Sequence, residues 1–304
     1  MNKEHNSAEQ FKSGFVSIVG NPNVGKSTIM NEFIGERLSI ITNKSQTTRH
    51  RIHGIVNSDS YQIVFSDTPG VLKPNYKLQK TMLKAAESAL VDADVVLYVT
   101  DTKEESNKNE MFVQHISQQS IPVLVVINKI DISSQEELVK LVEMWEEKLP
   151  HAEIIPCSAL KKFNLDYILQ RIIALLPYNE PYYETDALTD KPTRFFVSEI
   201  IREKILILFK KEIPYSVEVT VEQFTEETPG RVYIRAVIIV SRDSQKGIII
   251  GNKGAGVKKI GSIARKSIEE FIDKNVYLDL FVKVKKDWRN DDKSLRQFGY
   301  SQGD

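Results

Sequence analysis

Gly20-Asn21-Pro22-Asn23-Val24-Gly25-Lys26-Ser27 reads G-x-x-x-x-G-K-S and directly follows the apolar run Phe15-Val16-Ser17-Ile18-Val19. A strand therefore feeds a glycine-bracketed loop that opens a helix. The two glycines let the backbone curl so that successive N–H groups face inward, where they bind phosphate oxygens at a helix N-terminus. Lys26 then reaches the outer phosphates, the Ser27 hydroxyl is placed to ligate Mg2+, and Thr28 follows on the first helical turn. The spacing identifies a nucleoside triphosphate site.

A second motif selects the base. The apolar strand Pro122-Val123-Leu124-Val125-Val126-Ile127 ends in Asn128-Lys129-Ile130-Asp131, an N-K-x-D sequence. The Asp131 carboxylate can accept from guanine N1–H and the 2-amino group, whereas adenine would leave it desolvated and unpaired. Asn128 ties this loop to the phosphate loop, and the Lys129 stem lies along the purine. Between the two motifs, Tyr61-Gln62-Ile63-Val64-Phe65 alternates as a strand and delivers Asp67-Thr68-Pro69-Gly70, a D-x-x-G sequence. Asp67 is placed to hold a magnesium-bound water, and the Gly70 N–H to meet a γ-phosphate. Residues 42–49 carry no periodicity and read as a mobile loop, in which Thr48, with Thr47 as the alternative, closes on the magnesium. Glu153-Ile154-Ile155-Pro156-Cys157-Ser158-Ala159 is a strand ending in S-A, with the Ser158 and Ala159 backbone facing guanine O6.

These motifs, in this order, resemble the translation-factor-related small GTPases and, within them, the Era family. The match is close around Gln46-Thr47-Thr48-Arg49-His50-Arg51 and in the phosphate loop. The resemblance implies Mg2+-dependent conversion of GTP to GDP with Lys26, Thr48, Asp67 and Gly70 in the catalytic roles. In this family an apolar residue, here Val71, follows D-x-x-G where many signalling GTPases carry a water-orienting glutamine, so slow intrinsic hydrolysis is expected. In related GTPases the residue matching Asn23 ligates K+. The sequence itself leaves Asn23 equally readable as a plain turn residue.

The 304 residues suffice for two cores at about 150 residues per domain. Charge is balanced at 41 Lys+Arg against 41 Asp+Glu, but residues 1–189 hold 19 against 24 and residues 190–304 hold 22 against 17. The second part therefore calls for an anionic partner. The single cysteine, Cys157, excludes an internal disulfide and fits a reducing compartment. No apolar run approaches a membrane span, and the polar segment Met1–Lys12 reads as a frayed tail rather than a signal peptide.

Strands and helices alternate through residues 13–176, which predicts a mostly parallel sheet with helices on both faces. Helices are expected at Lys26–Gly35, Lys80–Leu90, Ser106–Gln118, Ser133–Lys148 and Asn164–Leu176. Pro177, Pro181 and Pro192 bracket an aperiodic linker, residues 177–193. Beyond it, residues 194–304 read as helix, two alternating strands, an apolar run, Gly251-Asn252-Lys253-Gly254, a basic helix from Val257 to Ile272 and a last strand. G-x-x-G alone is a weak signal, and a tight turn with a solvated basic face is the bland alternative. The element order resembles a type II KH domain, in which the turn clamps the backbone of four single-stranded nucleotides. Lys253, Lys258, Lys259, Arg265 and Lys266 would supply the charge.

With both parts in view, the Era resemblance covers Gly14 to Tyr300. It implies an α/β P-loop GTPase domain followed by an α+β type II KH domain. It further implies a monomeric cytoplasmic switch that binds 16S rRNA near its 3′ end and acts on the maturing small ribosomal subunit. Peripheral association with the inner face of the cell membrane also occurs in the family, although the chain shows no lipidation motif or anchoring helix. The competing function is a signalling GTPase whose basic domain docks on a membrane or a protein. His50 and His53 lack partners at metal spacing, so no zinc site is expected. Trp288 is expected to dock the C-terminal tail.

Overall fold

A computed structural model describes residues 11–103 and 109–300. The chain forms two compact units, one from residues up to 39, 48–73 and 83–190, the other from 40–47, 74–82 and 191 onward. The first contains strands β1 (Lys12–Gly20), β2 (Ile52–Asn57), β3 (Tyr61–Asp67), β4 (Val95–Asp101), β5 (Val123–Asn128) and β6 (Glu153–Pro156). They form one sheet in the order β2-β3-β1-β4-β5-β6, antiparallel only between β2 and β3. Central strands buried on both faces must be apolar throughout, as Val95–Val99 and Leu124–Ile127 are. Helices α1 (Lys26–Ile34), α2 (Lys77–Val91), α3 (Glu110–Ser117), α4 (Gln135–Lys148) and α5 (Leu165–Leu175) alternate with the strands. Because β1 lies between β3 and β4, the chain leaves it toward opposite sides, and a crevice opens at the carboxyl ends of the strands.

Several boundaries move for local reasons. α4 starts at Gln135 because Ser134 caps it: Ser134 Oγ accepts from Glu137 N while Glu137 accepts from Ser134 N. α2 starts at Lys77 rather than Lys80. The expected start of α3 at Ser106 lies outside the described residues, and the helix runs from Glu110. Of the segment Met1–Lys12, expected as a frayed tail, residues 1–10 lie outside the described residues, and Lys12 belongs to β1: it pairs with Tyr61, and its Nζ donates to the last carbonyls of α5, Ile173 O and Ala174 O. Residues 177–190 are strapped to the first unit despite having no periodicity. Gln62 Oε1 accepts from Tyr182 N and Tyr183 N, and Leu188 O accepts from Ile55 N.

The second unit holds α6 (Thr193–Leu208), the short α7 (Ile213–Ser216), β7 (Glu218–Thr228), β8 (Arg231–Val240), α8 (Asp243–Ile250), α9 (Ala255–Ile272), β9 (Asn275–Val284) and α10 (Asp292–Gln297). β7 pairs antiparallel and β9 parallel to β8. Alternation along β8 puts Val232, Ile234, Ala236, Ile238 and Val240 in a core with α6 and α9. Val237 and Ile239, on the opposite face, pack with Leu78, Met82, Trp288, Leu295, Phe298 and Tyr300. Trp288 is fully buried there, and its Nε1 donates to Ser216 O at 3.1 Å. Segment 40–47 belongs to this unit through Lys44 Nζ, which donates to Phe209 O, and Thr47 O, which accepts from the buried Arg202. No helix among the described residues is long and apolar enough to cross a membrane.

Trp288→Ala removes the largest side chain of the second cluster and orphans Ser216 O, so it should cost about 3–5 kcal/mol. Urea unfolding followed by circular dichroism measures this. A loss below about 1 kcal/mol would show that the tail contributes little.

Candidate nucleotide site and G-x-x-G turn

The glycine-bracketed loop joins β1 to α1 as the spacing requires. Gly25 caps the helix at φ 104°, and a Cβ there would fall 2.2 Å from Asn128 Nδ2, so only glycine fits. No side chain caps α1, and its first turn carries no acid, which leaves its N–H groups and positive dipole end for an anion. Lys26 Nζ bonds Gly20 O at 3.0 Å and Asn21 O at 2.8 Å, within the loop itself. Asn21 and Val24 are buried, Pro22 half-buried and Asn23 exposed at φ 67°.

Three oxygens converge beside Lys26. Ser27 Oγ donates to Asp67 Oδ2 at 2.7 Å and lies 3.0 Å from Thr48 Oγ1, which is 3.3 Å from the same carboxylate oxygen. Thr47 Oγ1 instead bonds Thr42 and Lys44 O. Asp67 is fully buried, and its Oδ1 has no partner among the described residues. Desolvation pushes its carboxyl above the usual range, opposed by the charge of Lys26 and by the Ser27 hydroxyl. A buried carboxylate with a spare oxygen beside two hydroxyls is an all-oxygen donor set that suits Mg2+. Gly70 packs on the phosphate loop, where a Cβ would lie 2.7 Å from Pro22 Cα, and Val71 N donates to Gly20 O at 3.1 Å.

The base loops meet on the other side. Asn128 donates to Val24 O at 2.8 Å and accepts from Ala159 N at 3.0 Å. Lys129 Nζ donates to Asn23 O and to Asp101 Oδ2 at 2.6 Å. Asp131 is exposed and accepts from Ser158 Oγ. Asp101, at the end of β4, is not among the residues expected from the motifs. An acid closing an apolar strand beside the nucleotide loops is the signal that points to it.

In the second unit α8 ends at Gly251 (φ 68°), and Lys253 (φ 49°) and Gly254 (φ 81°) turn the chain into α9. Asn252, Lys253, Lys258, Lys259, Arg265 and Lys266 are all exposed, and none of these cations forms an ion pair among the described residues. A groove of about 350 Å³ runs between α9 and β9, lined by Lys258, Ser262 and Arg265 on the helix and by Leu278 and Leu280 on the strand. Its floor is apolar and its rim cationic.

A phosphate loop, a D-x-x-G loop and an N-K-x-D loop on one mostly parallel sheet define a P-loop GTPase, here followed by a KH domain. The family model for a 50S ribosome-binding GTPase matches residues 15–129, and that for a KH domain matches residues 212–289. GTPase Era of Clostridium kluyveri is 44% identical over 95% of this chain and 99% of its own. GTPase Era of Geotalea daltonii is 46% identical over 96% and 99%. The crystal structure of a point variant of Aquifex aeolicus Era bound to GDP and AlF4− superposes with a TM-score of 0.92 at 40% identity, covering 96% of this chain and all of the other. A structure of Era in complex with MgGDPNP and nucleotides 1506–1542 of 16S ribosomal RNA matches equally well, at TM-score 0.92 and 40% identity over the same shares. The chain belongs to the Era family of GTPases, and it hydrolyses GTP.

Two substitutions test the site. A raised folded pKa means that protonation of Asp67 stabilises the nucleotide-free fold at low pH and that this is lost as pH rises through the folded value. Asp67→Asn mimics the protonated form, so at neutral pH it should raise the melting temperature of the nucleotide-free protein while abolishing Mg2+-dependent hydrolysis. Calorimetry showing a lower melting temperature would contradict the assigned burial cost. Asp131→Asn should weaken GTP about a hundredfold and admit xanthosine triphosphate, which carries an oxygen in place of the 2-amino group. Equal GTP affinity of the two proteins in a titration would remove Asp131 from base selection.

Proposed function

We propose that this GTPase is a switch that binds single-stranded 16S rRNA near its 3′ end and acts in maturation of the small ribosomal subunit, as a cytoplasmic monomer. One observation carries the reading: a relative that matches 96% of the chain was solved with nucleotides 1506–1542 of 16S rRNA. The exposed cations around Gly251–Gly254 and the groove beside them support it, since a nucleic-acid backbone needs counter-charge and close approach to the main chain.

In this reading residues 20–28 cradle the phosphates, Asn128, Lys129, Asp131, Ser158 and Ala159 enclose guanine, and Ser27, Thr48 and Asp67 hold Mg2+. Bound there, the ion neutralises charge that develops on the β- and γ-phosphate oxygens. Lys26, whose Nζ lies beside Gly20 O and Asn21 O in the same loop, reaches the outer phosphate oxygens. The Gly70 N–H engages the γ-phosphate, and Thr48 closes only when that phosphate is present. Val71 offers no group that orients water, so unassisted turnover is slow. A K+ ion at Asn23 would supply the missing positive charge. Stimulation of hydrolysis by K+ but not Na+ is the corresponding readout.

The RNA assignment is tested by Asn252→Asp with Lys253→Asp, which puts two negative charges on the turn and leaves both glycines in place. Affinity for a single-stranded 16S 3′-end oligonucleotide should fall at least about tenfold, and the salt slope should become shallower by about one. GTP hydrolysis without RNA should be unchanged. Filter binding across several salt concentrations beside a GTPase assay decides the matter, and unaltered affinity and slope would leave a GTPase whose basic domain serves a membrane or a protein instead.

A further inference from the structure

Asn109 immediately precedes α3 and sits at φ 60°. An asparagine there is expected to cap the helix, yet its side chain makes no capping bond to α3. Its Nδ2 donates instead to Asn21 Oδ1 in the phosphate loop and to Val71 O at 2.8 Å, just beyond the D-x-x-G loop. Both partners are buried, Asn21 at 2% and Val71 at 4% exposure. Asn21 Nδ2 has no partner among the described residues, so the bond to Asn109 is what holds this side chain in place.

Besides the Ser27–Asp67 bond at the metal-side end, the two loops meet at two further places among the described residues. Val71 N donates to Gly20 O, and Gly70 lies against Pro22. With the Asn109 amide added, Val71 is held through both its N–H and its C=O, and the peptide leading into it is the one that follows Gly70. This two-sided hold fixes the chain directly after Gly70, and the close packing of Gly70 on Pro22 keeps its own N–H beside the phosphate loop. Hydrolysis depends on donors fixed before charge develops on the transferring group, and this chain has no glutamine after Gly70 to compensate for a loose loop.

We propose that Asn109 is a positioning residue for GTP hydrolysis: its amide ties the D-x-x-G loop to the phosphate loop and so sets the Gly70 N–H for the γ-phosphate. The tie lies inside the GTPase unit and does not involve the RNA-binding reading. GDP has no γ-phosphate, so the tie weighs on turnover more than on GDP affinity, which feels it only through Asn21.

Asn109→Gly isolates the amide, because glycine keeps a positive φ at no cost and α3 loses no cap. Hydrolysis of saturating MgGTP should fall about tenfold, the loss expected for one buried hydrogen-bonded bridge. The melting temperature should fall by several degrees, because Asn21 Oδ1 and Val71 O lose a buried partner, while the protein stays folded at the assay temperature and GDP affinity changes by less than about threefold. Asn21→Ala removes the other end of the bond and should cost a similar factor in turnover. The double variant should be no slower than the slower single variant, because Asn109→Gly already breaks the bond that Asn21→Ala removes. Wild-type turnover in Asn109→Gly, a loss of GDP affinity as large as the loss of rate, or multiplicative losses in the double variant would each overturn the proposal.

Discussion

The side-chain amide of Asn128 donates to Val24 O in the phosphate loop and accepts from the Ala159 N–H in the guanine-side loop, while its own backbone ends β5. Those two bonds join three loops from distant parts of the chain through one planar group that is 3% exposed. The amide can do this only because β5 is immobile, with Leu124, Val125, Val126 and Ile127 all buried between the helical layers. It also dictates its surroundings: the space it fills is the space a Cβ at position 25 would need. Each pocket loop is thus anchored on the rigid sheet and cross-linked at its tip, which is how a site made of loops holds the geometry that catalysis demands.

Much of this was legible in the sequence, where the chemistry is local. A phosphate loop compresses its glycines, its lysine and its metal-side hydroxyl into one short stretch, so spacing alone conveys geometry. The strands followed from apolar runs whose burial on both faces leaves no other composition open. What escaped were contacts between residues far apart in sequence. Residues 42–49 look structureless because their partners, Phe209 O and the Arg202 guanidinium, belong to α6 and its end. Lys12 looks like the end of a tail because its strand partner Tyr61 and the carbonyls it caps come much later. Asn109 stands in a polar run without periodicity, and nothing in that run points to Asn21 or Val71.

The charge balance of the chain hides a division of labour among its cations. On and beside the strands of the second unit several are paired: Lys274 with Glu226, Lys283 with Glu222, Arg235 with Asp279. On the turn and helix beside the groove they stand without ion-pair partners among the described residues. Mutual repulsion along α9 costs some stability and is tolerated because three apolar positions of the helix, Ile260, Ala264 and Ile268, are fully buried in the core. A uniform excess of charge would attract polyanions anywhere on the surface. A cluster of unpaired cations beside one groove concentrates that attraction there.

Cys157 is the chain's one cysteine, lies fully buried behind Asn128, and has its thiol pushed up to about 12 by desolvation. At neutral pH almost no thiolate is present, and no reagent reaches the sulfur in the folded protein. The natural chain is therefore silent toward maleimides. A single cysteine introduced on the surface of either unit can carry a fluorophore or spin label without first removing a native one, and a reporter pair can follow the protein through its nucleotide cycle in an otherwise unaltered background.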